Sequence, residues 1–201
     1  MGRIKRLTLV NTLPGFKSAN LIGTISKEGQ TNLAIFSSVI HLGSDPALIG
    51  FITRPVTVDR HTYRNILETE VYTINHVPVT AVRNAHQTSA GYPNGVSEFD
   101  TCHFKPFYHE GMDAPYVVES PVNLGVRYRE RYDIKANGTI LIVGEVEQVL
   151  LPPDALQSDG SVDLTQCGTA IVSGLDTYLK GQQIARFSYA RTHQQPTEIG
   201  E

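Results

Sequence analysis

Residues 20–62 read NLIGTISKEGQTNLAIFSSVIHLGSDPALIGFITRPVTVDRHT, and the fold prediction starts from this stretch. It contains three short apolar runs, at 21–25, 33–40 and 48–52, each bounded by turn-forming residues. Apolar runs of this length between turn residues are typical of β-strands. The segment between the first two runs has the length of a hairpin loop, and Gly29 within it can adopt the positive φ that such a loop needs. The stretch therefore predicts three strands, the first two paired antiparallel.

Polar residues that suit an anionic ligand lie in or after these predicted strands. They are small or cationic, and they comprise Asn32, Ser37, Ser38, Arg54, Arg60, His61 and Thr62. Residues 57–67 carry apolar side chains at near-helical spacing and predict a short helix, with Thr57 or Asp59 placed to cap its start. Arg60, His61 and Thr62 then lie near the helix N-terminus, where free N–H groups and the helix dipole favour a phosphate. The stretch therefore predicts a site for a phosphorylated ligand.

The segments on either side of this stretch predict shorter elements. Leu7, Leu9 and Val10 predict an edge strand that ends before a turn at residues 14–15. After the helix, an alternating strand at 71–77, a helix at 79–88 and a loop at 89–100 are predicted. The loop is rich in Gly, Pro, Asn and Ser, and its aromatic residues suit a lid over a ligand.

A second pair of strands is predicted at residues 122–134 and 139–151. Asn137-Gly138 separates them, and Asn-Gly between two strand-like runs is the strongest short hairpin signal. Along the first arm Arg127, Arg129 and Arg131 alternate with other residues and therefore share one face. Two roles stay open for these arginines: a solvated face, or contact with a ligand or a second subunit.

Composition excludes several classes of protein. A chain of 201 residues is long enough for one domain with a full core, and residues 1–201 are predicted to form a single domain. No run reaches the roughly 18 apolar residues of a membrane helix, so no membrane association is predicted. A net charge of −3 argues against a nucleic-acid partner. Cys102 and Cys167 lie far apart without a C-x-x-C partner, which favours free thiols and a cytoplasmic location.

The common enzyme motifs do not occur in the sequence. No dinucleotide-binding Gly-x-Gly-x-x-Gly, P-loop, nucleophile elbow or His-Glu-x-x-His is found. The seven histidines are scattered, so no metal site is predicted. No catalytic side chain is assigned.

Several dispersed positions together resemble a known family. They are Asn32-x-Ala34-x-x-Ser37-Ser38, Asp45-Pro46, Arg54, Thr62, Asn65-Ile66, the run Glu68-Thr69-Glu70-Val71-Tyr72-Thr73-Ile74-Asn75, and Gly144-Glu145-Val146. In this order they resemble the flavin reductase-like family of FMN-binding split barrels, which includes flavoredoxins. The resemblance covers residues 14–152 and leaves residues 153–201 as a C-terminal extension.

The resemblance implies a mainly β fold with short helices, built as an antiparallel split β-barrel. It also implies noncovalent FMN in a homodimer, with NAD(P)H as electron donor or another protein as electron acceptor. Because flavin itself performs hydride chemistry, no side-chain nucleophile or acid–base pair is needed. The cofactor-binding residues implied are Asn32, Phe36, Ser37, Ser38, Val39, Arg54, His61 and Thr62, with Tyr92, Glu98 and Phe99 as further candidates for the pocket wall. Taken without the resemblance, Ser37 and Ser38 can equally end a strand and Thr62 can support a helix start.

One departure from the family pattern keeps alternatives open. Many reductases of this family have Gly-Asp-His before the strand that contains Gly-x-Val, whereas this chain has Ala136-Asn137-Gly138-Thr139-Ile140. His41 or His193 would have to replace the missing histidine. A hydride-transferring flavin reductase is therefore the first hypothesis. An electron carrier or flavin-storage protein is the second, and a split barrel without flavin is the third.

Overall fold

The computed structural model describes residues 1–199. Most of these residues lie in short strands and loops, with four short α-helices and a 3₁₀ turn at Val79–Ala81 among the described residues. The helices are α1 (Arg3–Thr12), α2 (His61–Thr69), α3 (Val82–Gln87) and α4 (Glu98–Thr101). The strands are β1 (Lys17–Ser18), β2 (Asn20–Ile25), β3 (Thr31–Phe36), β4 (Ile40–Ser44), β5 (Ala47–Thr53), β6 (Val71–His76), β7 (Pro106–His109), β8 (Met112–Val117), β9 (Asn123–Ile134), β10 (Thr139–Leu150), β11 (Ala170–Ser173) and β12 (Thr177–Lys180).

The main sheet has seven strands in the order β3-β2-β6-β9-β10-β5-β4, and all neighbours are antiparallel. Its two edge strands, β3 and β4, are consecutive in the chain and are separated only by residues 37–39. A connection this short brings the two edges together at one end, so the sheet curls into a barrel whose seam is not closed by a ladder. The fold is an antiparallel split β-barrel, and the predicted fold class is confirmed.

Apolar side chains fill both sides of the curled sheet. The inner core contains Ile22, Phe51, Ile66, Tyr72, Ile74, Val126, Ile140 and Ile142, and α2 contributes Ile66 to it. The outer core packs behind β2 and β3 and contains Leu21, Leu33, Val77, Phe99, Phe104 and Val117, together with Ala170 and Val172 from β11. Helix α2 thus packs on the inner core through Ile66, with its first turn close to the start of β3.

Both predicted hairpins are confirmed. β2 and β3 pair antiparallel, and Gly29 in their loop has a φ of 84°. β9 and β10 pair antiparallel around Gly138, whose φ is 75°. Positive φ at a loop glycine is what such short connections require.

Three local predictions were wrong. Residues 7–10 lie in helix α1, where the Thr8 and Thr12 hydroxyls donate to carbonyls four residues earlier, and none of its residues is buried. The predicted strand at 33–40 is interrupted at 37–39, where the chain leaves one sheet edge for the other. Helix α2 begins at His61 without a side-chain cap, because the Asp59 carboxylate instead bonds Arg64 Nη1 at 2.5 Å.

The arginines of β9 have partners within the chain. Arg127 Nε donates to Glu147 Oε1 at 2.6 Å, Arg129 Nε donates to Glu145 Oε2 at 2.8 Å, and the Arg131 guanidinium lies 5.6 Å from the ring centroid of Tyr63. These contacts lie on a partly exposed face and add little to stability. They favour the solvated-face role over a ligand role.

Across residues 1–199, no helix combines the length and the apolar character needed to cross a membrane.

Candidate functional site

A buried polar network joins the start of β3 to the first turn of α2. Asn32 Nδ2 donates to Thr62 Oγ1 at 2.9 Å and to Thr24 Oγ1 at 3.3 Å. Asn65 Nδ2 donates to the same Thr24 oxygen at 3.1 Å. All four side chains are buried. Two of the predicted site residues, Asn32 and Thr62, are therefore in direct contact, and the network fixes the helix start against the strand.

Two atoms near this network are buried without a hydrogen-bond partner in the described structure: Arg60 Nε and Asn65 Oδ1. Arg60 occupies the N-cap position of α2, and His61 Nε2 lies 3.7 Å from Asp59 Oδ2. An unpaired donor at a helix N-terminus, beside free backbone N–H groups, favours an anion there. The phosphate site at residues 60–62 stays a prediction, and the unpaired Arg60 Nε is consistent with it.

The edge strand β3 is partly covered by α4. Leu33 N–H donates to Glu98 Oε2 at 3.0 Å, and the Thr31 and Ser97 hydroxyls are 2.7 Å apart. Burial raises the pKa of Glu98. Because the backbone groups of an antiparallel strand alternate in direction, Ile35, two residues beyond Leu33, also directs its N–H and C=O away from β2. The Ile35 end of the edge is where a ligand can pair with backbone.

Residues 36–39 form the corner between the two sheet edges. The Phe36 ring packs edge-on against Phe51, with centroids 4.9 Å apart, and Val39 packs on the inner core. The Ser38 hydroxyl accepts the Ile52 N–H at 3.0 Å and donates to the Ile52 carbonyl at 3.1 Å. Ser38 therefore joins the two edges and has little capacity left for a ligand. Ser37 is half-buried, and its side chain makes no hydrogen bond within residues 1–199.

Arg54 follows β5 directly and has an exposed side chain. Within the part of the chain that the structure describes, it makes no side-chain hydrogen bond or ion pair. Residues 54–60 lead from this position to the N-terminus of α2. Arg54 is thus a cation available to an anionic ligand, whereas Arg64 is already paired with Asp59.

A cleft of about 370 Å³ opens beside the polar network. We call it the hairpin cleft, and its walls are Ser26, Glu28, Gln30, Thr31, Asn32, His61, Arg64, Asn65, Glu68, Asn94, Gly95 and Val96. It includes the predicted site residues Asn32 and His61. A larger cavity of about 1300 Å³ lies in the C-terminal extension and contains none of the predicted site residues. Of these two cavities, only the hairpin cleft is lined by predicted site residues.

The other candidate residues have different surroundings. Tyr92 is half-buried, with its hydroxyl 3.6 Å from Cys102 Sγ, and Phe99 lies in the outer core behind β3. His41 is exposed on β4, with Nε2 3.3 Å from Ser44 Oγ, and His193 is exposed in the C-terminal extension. In residues 1–199, no three His, Cys, Asp or Glu side chains are grouped so that they could hold a metal ion.

Thr24, which joins Asn32 and Asn65, is not among the residues predicted for the site. Glu98 is predicted for a pocket wall, whereas in the structure its carboxylate accepts the Leu33 N–H at the strand edge. The hairpin register provided a signal for Thr24, because Thr24 pairs directly with Asn32 across β2 and β3. The Glu98 contact spans 65 residues of sequence and had no local signal.

The chain matches a known family model and is similar to several solved structures. Residues 15–165 match the family model described as flavin reductase like domain. A split barrel protein of Shewanella frigidimarina NCIMB 400, described as a candidate flavin reductase, is 45% identical with a TM-score of 0.91, and the match covers 94% of each chain.

More distant structures share the fold. Nitrilotriacetate monooxygenase component B of Bacillus cereus is 18% identical with a TM-score of 0.81, covering 92% of this chain and 94% of the other. Flavoredoxin of Desulfovibrio vulgaris (Miyazaki F) is 22% identical with a TM-score of 0.68, covering 92% and 88%.

Proposed function

This chain belongs to the family of flavin reductase-like domains, and from that premise we propose that it binds FMN and transfers a hydride from NAD(P)H to flavin. The observation that carries the proposal is the line of ligand-binding groups along the barrel seam. The N-terminus of α2, with the unpaired Arg60 Nε, lies at one end of β3, and the Phe36–Val39 corner lies at the other.

The residues at the two ends fit the parts of FMN. A phosphate fits the N-terminus of α2 together with His61, Thr62 and Arg54. Arg54 makes no ion pair among the described residues, and the Thr62 hydroxyl, which accepts from Asn32, can still donate to a phosphate oxygen. From Asn32 to Phe36, β3 spans about 13 Å at roughly 3.3 Å per residue. That length suits a ribityl chain lying between a phosphate and a ring.

Each residue would bind or orient rather than react. Asn32 would orient the Thr62 hydroxyl at the phosphate end, and the outward backbone groups of Ile35 would meet polar edges of the ligand. Phe36 and Val39 would exclude water from one side of the ring site. Bound FMN would itself supply the hydride-accepting and electron-transferring chemistry. No side chain is assigned a catalytic role.

We also propose that residues 1–201 act as one domain, within a cytoplasmic homodimer. The family match ends at residue 165, inside the C-terminal extension, and β11 of that extension packs in the outer core. Helix α1, which has no buried residue, carries large exposed apolar side chains that a second subunit could cover. The two free cysteines support a reducing compartment.

The direct test is the visible absorption spectrum of freshly purified protein, with identification of any chromophore released on denaturation. The proposal expects flavin bands that correspond to about one FMN per chain, or saturable binding of added FMN at that ratio. A colourless protein that also fails to bind FMN would contradict it.

A second candidate function is an electron carrier or flavin-storage protein without efficient NAD(P)H oxidation. The specific observation that favours it is the run Ala136–Ile140, which contains no histidine. Stopped-flow mixing of the FMN-loaded protein with NADH and with NADPH separates the two. Bleaching of the flavin within seconds supports the reductase, and no reaction with either nucleotide supports the carrier.

A further inference from the structure

The hairpin cleft is lined by polar and charged side chains beyond those assigned to the FMN phosphate. Asn32 and His61 connect it to the proposed phosphate end, but Glu28, Glu68 and residues 94–96 extend it beyond that point. We propose that the hairpin cleft binds the adenylate half of a dinucleotide whose ribose 2′-hydroxyl is not phosphorylated. This inference rests on the proposed function, because it places the cleft next to the bound flavin.

The position of the cleft suits the length of a dinucleotide. From Asn32, which lines the cleft, β3 runs to Phe36 over about 13 Å at roughly 3.3 Å per residue, and the Phe36–Val39 corner follows directly. In an extended dinucleotide a pyrophosphate and sugar units separate the two ring systems by a comparable distance. An adenine in the cleft is therefore compatible with a reacting ring at the Phe36–Val39 corner.

The charges in the cleft match a ribose phosphate. His61 and Arg64 line one part of the cleft, where Arg64 is paired with Asp59, and Glu28 and Glu68 form its anionic part. Hydrogen bonding by Ser26 is the main cause that lowers the pKa of the exposed Glu28, followed by a backbone hydrogen bond and, more weakly, by the charge of Arg64. The Glu68 carboxylate is half-buried and makes no hydrogen bond or ion pair among the described residues.

Carboxylates of this kind select between dinucleotides. An Asp or Glu that accepts a hydrogen bond from the ribose 2′-hydroxyl is a recurrent feature of NAD sites, whereas a 2′-phosphate needs a cation. Two carboxylates in one cleft repel a 2′-phosphate. In addition, the amide of Asn65, which is 2% exposed, has an unpartnered Oδ1 beside the cleft, an acceptor suited to an amino or hydroxyl donor.

The adenylate has two chemical sources, FAD and NADH, and flavin affinities separate them. If the cleft holds the adenylate of FAD, FAD binds at least tenfold tighter than FMN, and added AMP weakens FAD binding without affecting FMN. If it holds the adenylate of NADH, the two flavins bind equally and AMP displaces NADH from the FMN-loaded protein. Either result supports the subsite.

The decisive measurement is calorimetric titration of the FMN-loaded protein with AMP and with adenosine 2′,5′-bisphosphate. We expect AMP to bind at least tenfold tighter than the bisphosphate in the wild type. Glu68→Arg should reverse this preference, and Glu68→Gln should reduce it to near equality. Glu110→Gln is the control, because Glu110 has an exposed side chain outside the cleft and should leave the preference unchanged.

The outcomes distinguish this inference from the proposed function. Normal FMN binding with no AMP binding overturns the subsite alone, as does an unchanged AMP preference in Glu68→Arg. Failure to bind FMN contradicts the proposed function instead, and it is seen in the FMN titration before any nucleotide is added. The thermal stability of Glu68→Arg and Glu68→Gln, measured in parallel, shows that both variants fold.

Discussion

Gly144 shows how one residue type is imposed by a distant side chain. A Cβ at this position would overlap with the Tyr72 hydroxyl and the Val126 side chain, so β10 can pass the inner core only with a glycine here. Gly144 belongs to the Gly144-Glu145-Val146 run that resembles the family, and the structure supplies the physical reason for the glycine: the hydroxyl of the buried Tyr72 occupies the space that a Cβ would need.

Gly144→Ala should therefore destabilise the protein by about 1–3 kcal/mol through overpacking. Chemical denaturation measures the change. Adding Tyr72→Phe should recover part of the loss, because it removes one of the two overlapping groups. Gly91→Ala is the matched control, since nothing lies within 4 Å of a Cβ there, and it should change stability by about 0.5 kcal/mol or less. A double variant no more stable than Gly144→Ala would contradict the explanation.

Arg54 provides the residue-level test of the phosphate assignment. Arg54→Ala should weaken FMN far more than riboflavin, because riboflavin lacks the phosphate that the guanidinium would contact. A charge-assisted contact of ~1.5–3 kcal/mol corresponds to a loss of roughly 10- to 150-fold. Flavin fluorescence titration measures both affinities.

The control for this experiment is Arg83→Ala, which removes an exposed arginine of α3. It should leave both affinities unchanged. An equal loss for FMN and riboflavin in Arg54→Ala would remove Arg54 from the phosphate site.

At the scale of elements, the edge strand β3 depends on α4 for its order. Glu98→Ala removes the acceptor of the buried Leu33 N–H, and an unsatisfied buried donor costs about 1–3 kcal/mol. We expect faster amide hydrogen exchange at Leu33 and weaker FMN binding, because β3 carries Asn32 and Phe36. Glu98→Gln retains an acceptor oxygen and should largely restore both properties. Unchanged exchange at Leu33 in Glu98→Ala would show that the contact does not hold the strand.

The sequence predicts those elements whose formation depends on residues that are close together in the chain. The two hairpins follow from Gly29 and Gly138 together with the alternation of their flanking strands. Helix α2 was also expected, although its start was placed too early, because the Asp59–Arg64 pair that competes with capping forms only once the helix exists.

Non-local contacts explain what the sequence could not predict. The break at residues 37–39 depends on Ser38 meeting Ile52 across the seam, and the cover over β3 depends on Glu98 meeting Leu33. Likewise, the connection of Asn65 to Asn32 through Thr24 exists only after α2 has packed against β2 and β3. The sequence therefore indicates the residue types of the candidate site and some of its residues, but not the hydrogen bonds that connect them.

At the scale of the whole molecule, the topology leaves the site open. The two edges of the seven-stranded sheet meet only at residues 37–39, so the remaining seam offers backbone and side-chain groups of β3 to a ligand. A closed barrel would have paired these groups within the sheet. The split in the barrel is thus the structural origin of the proposed binding line from α2 to the Phe36–Val39 corner.

Global stability should depend on pH through His76, at the end of β6. Burial lowers the pKa of His76 to about 4 from the ordinary 6.5. Between these values the unfolded chain binds a proton that the folded protein does not, so stability is fully present above about pH 6.5 and decreases as the pH falls towards 4. At about 1.4 kcal/mol per pH unit, the whole window is worth about 3 kcal/mol.

His76→Gln should flatten this part of the curve of unfolding free energy against pH, as measured by urea denaturation between pH 4 and 7. His193→Gln, which changes an exposed histidine of the C-terminal extension, should retain the wild-type slope. Equal slopes in wild type and His76→Gln would mean that other groups cause the acid sensitivity. Because His76 pairs with Asn20 across β2, and Asn20 pairs with Phe36 across β3, its protonation would disturb the barrel end that carries the Phe36–Val39 corner. FMN affinity should therefore fall over the same pH window in the wild type and remain more constant in His76→Gln.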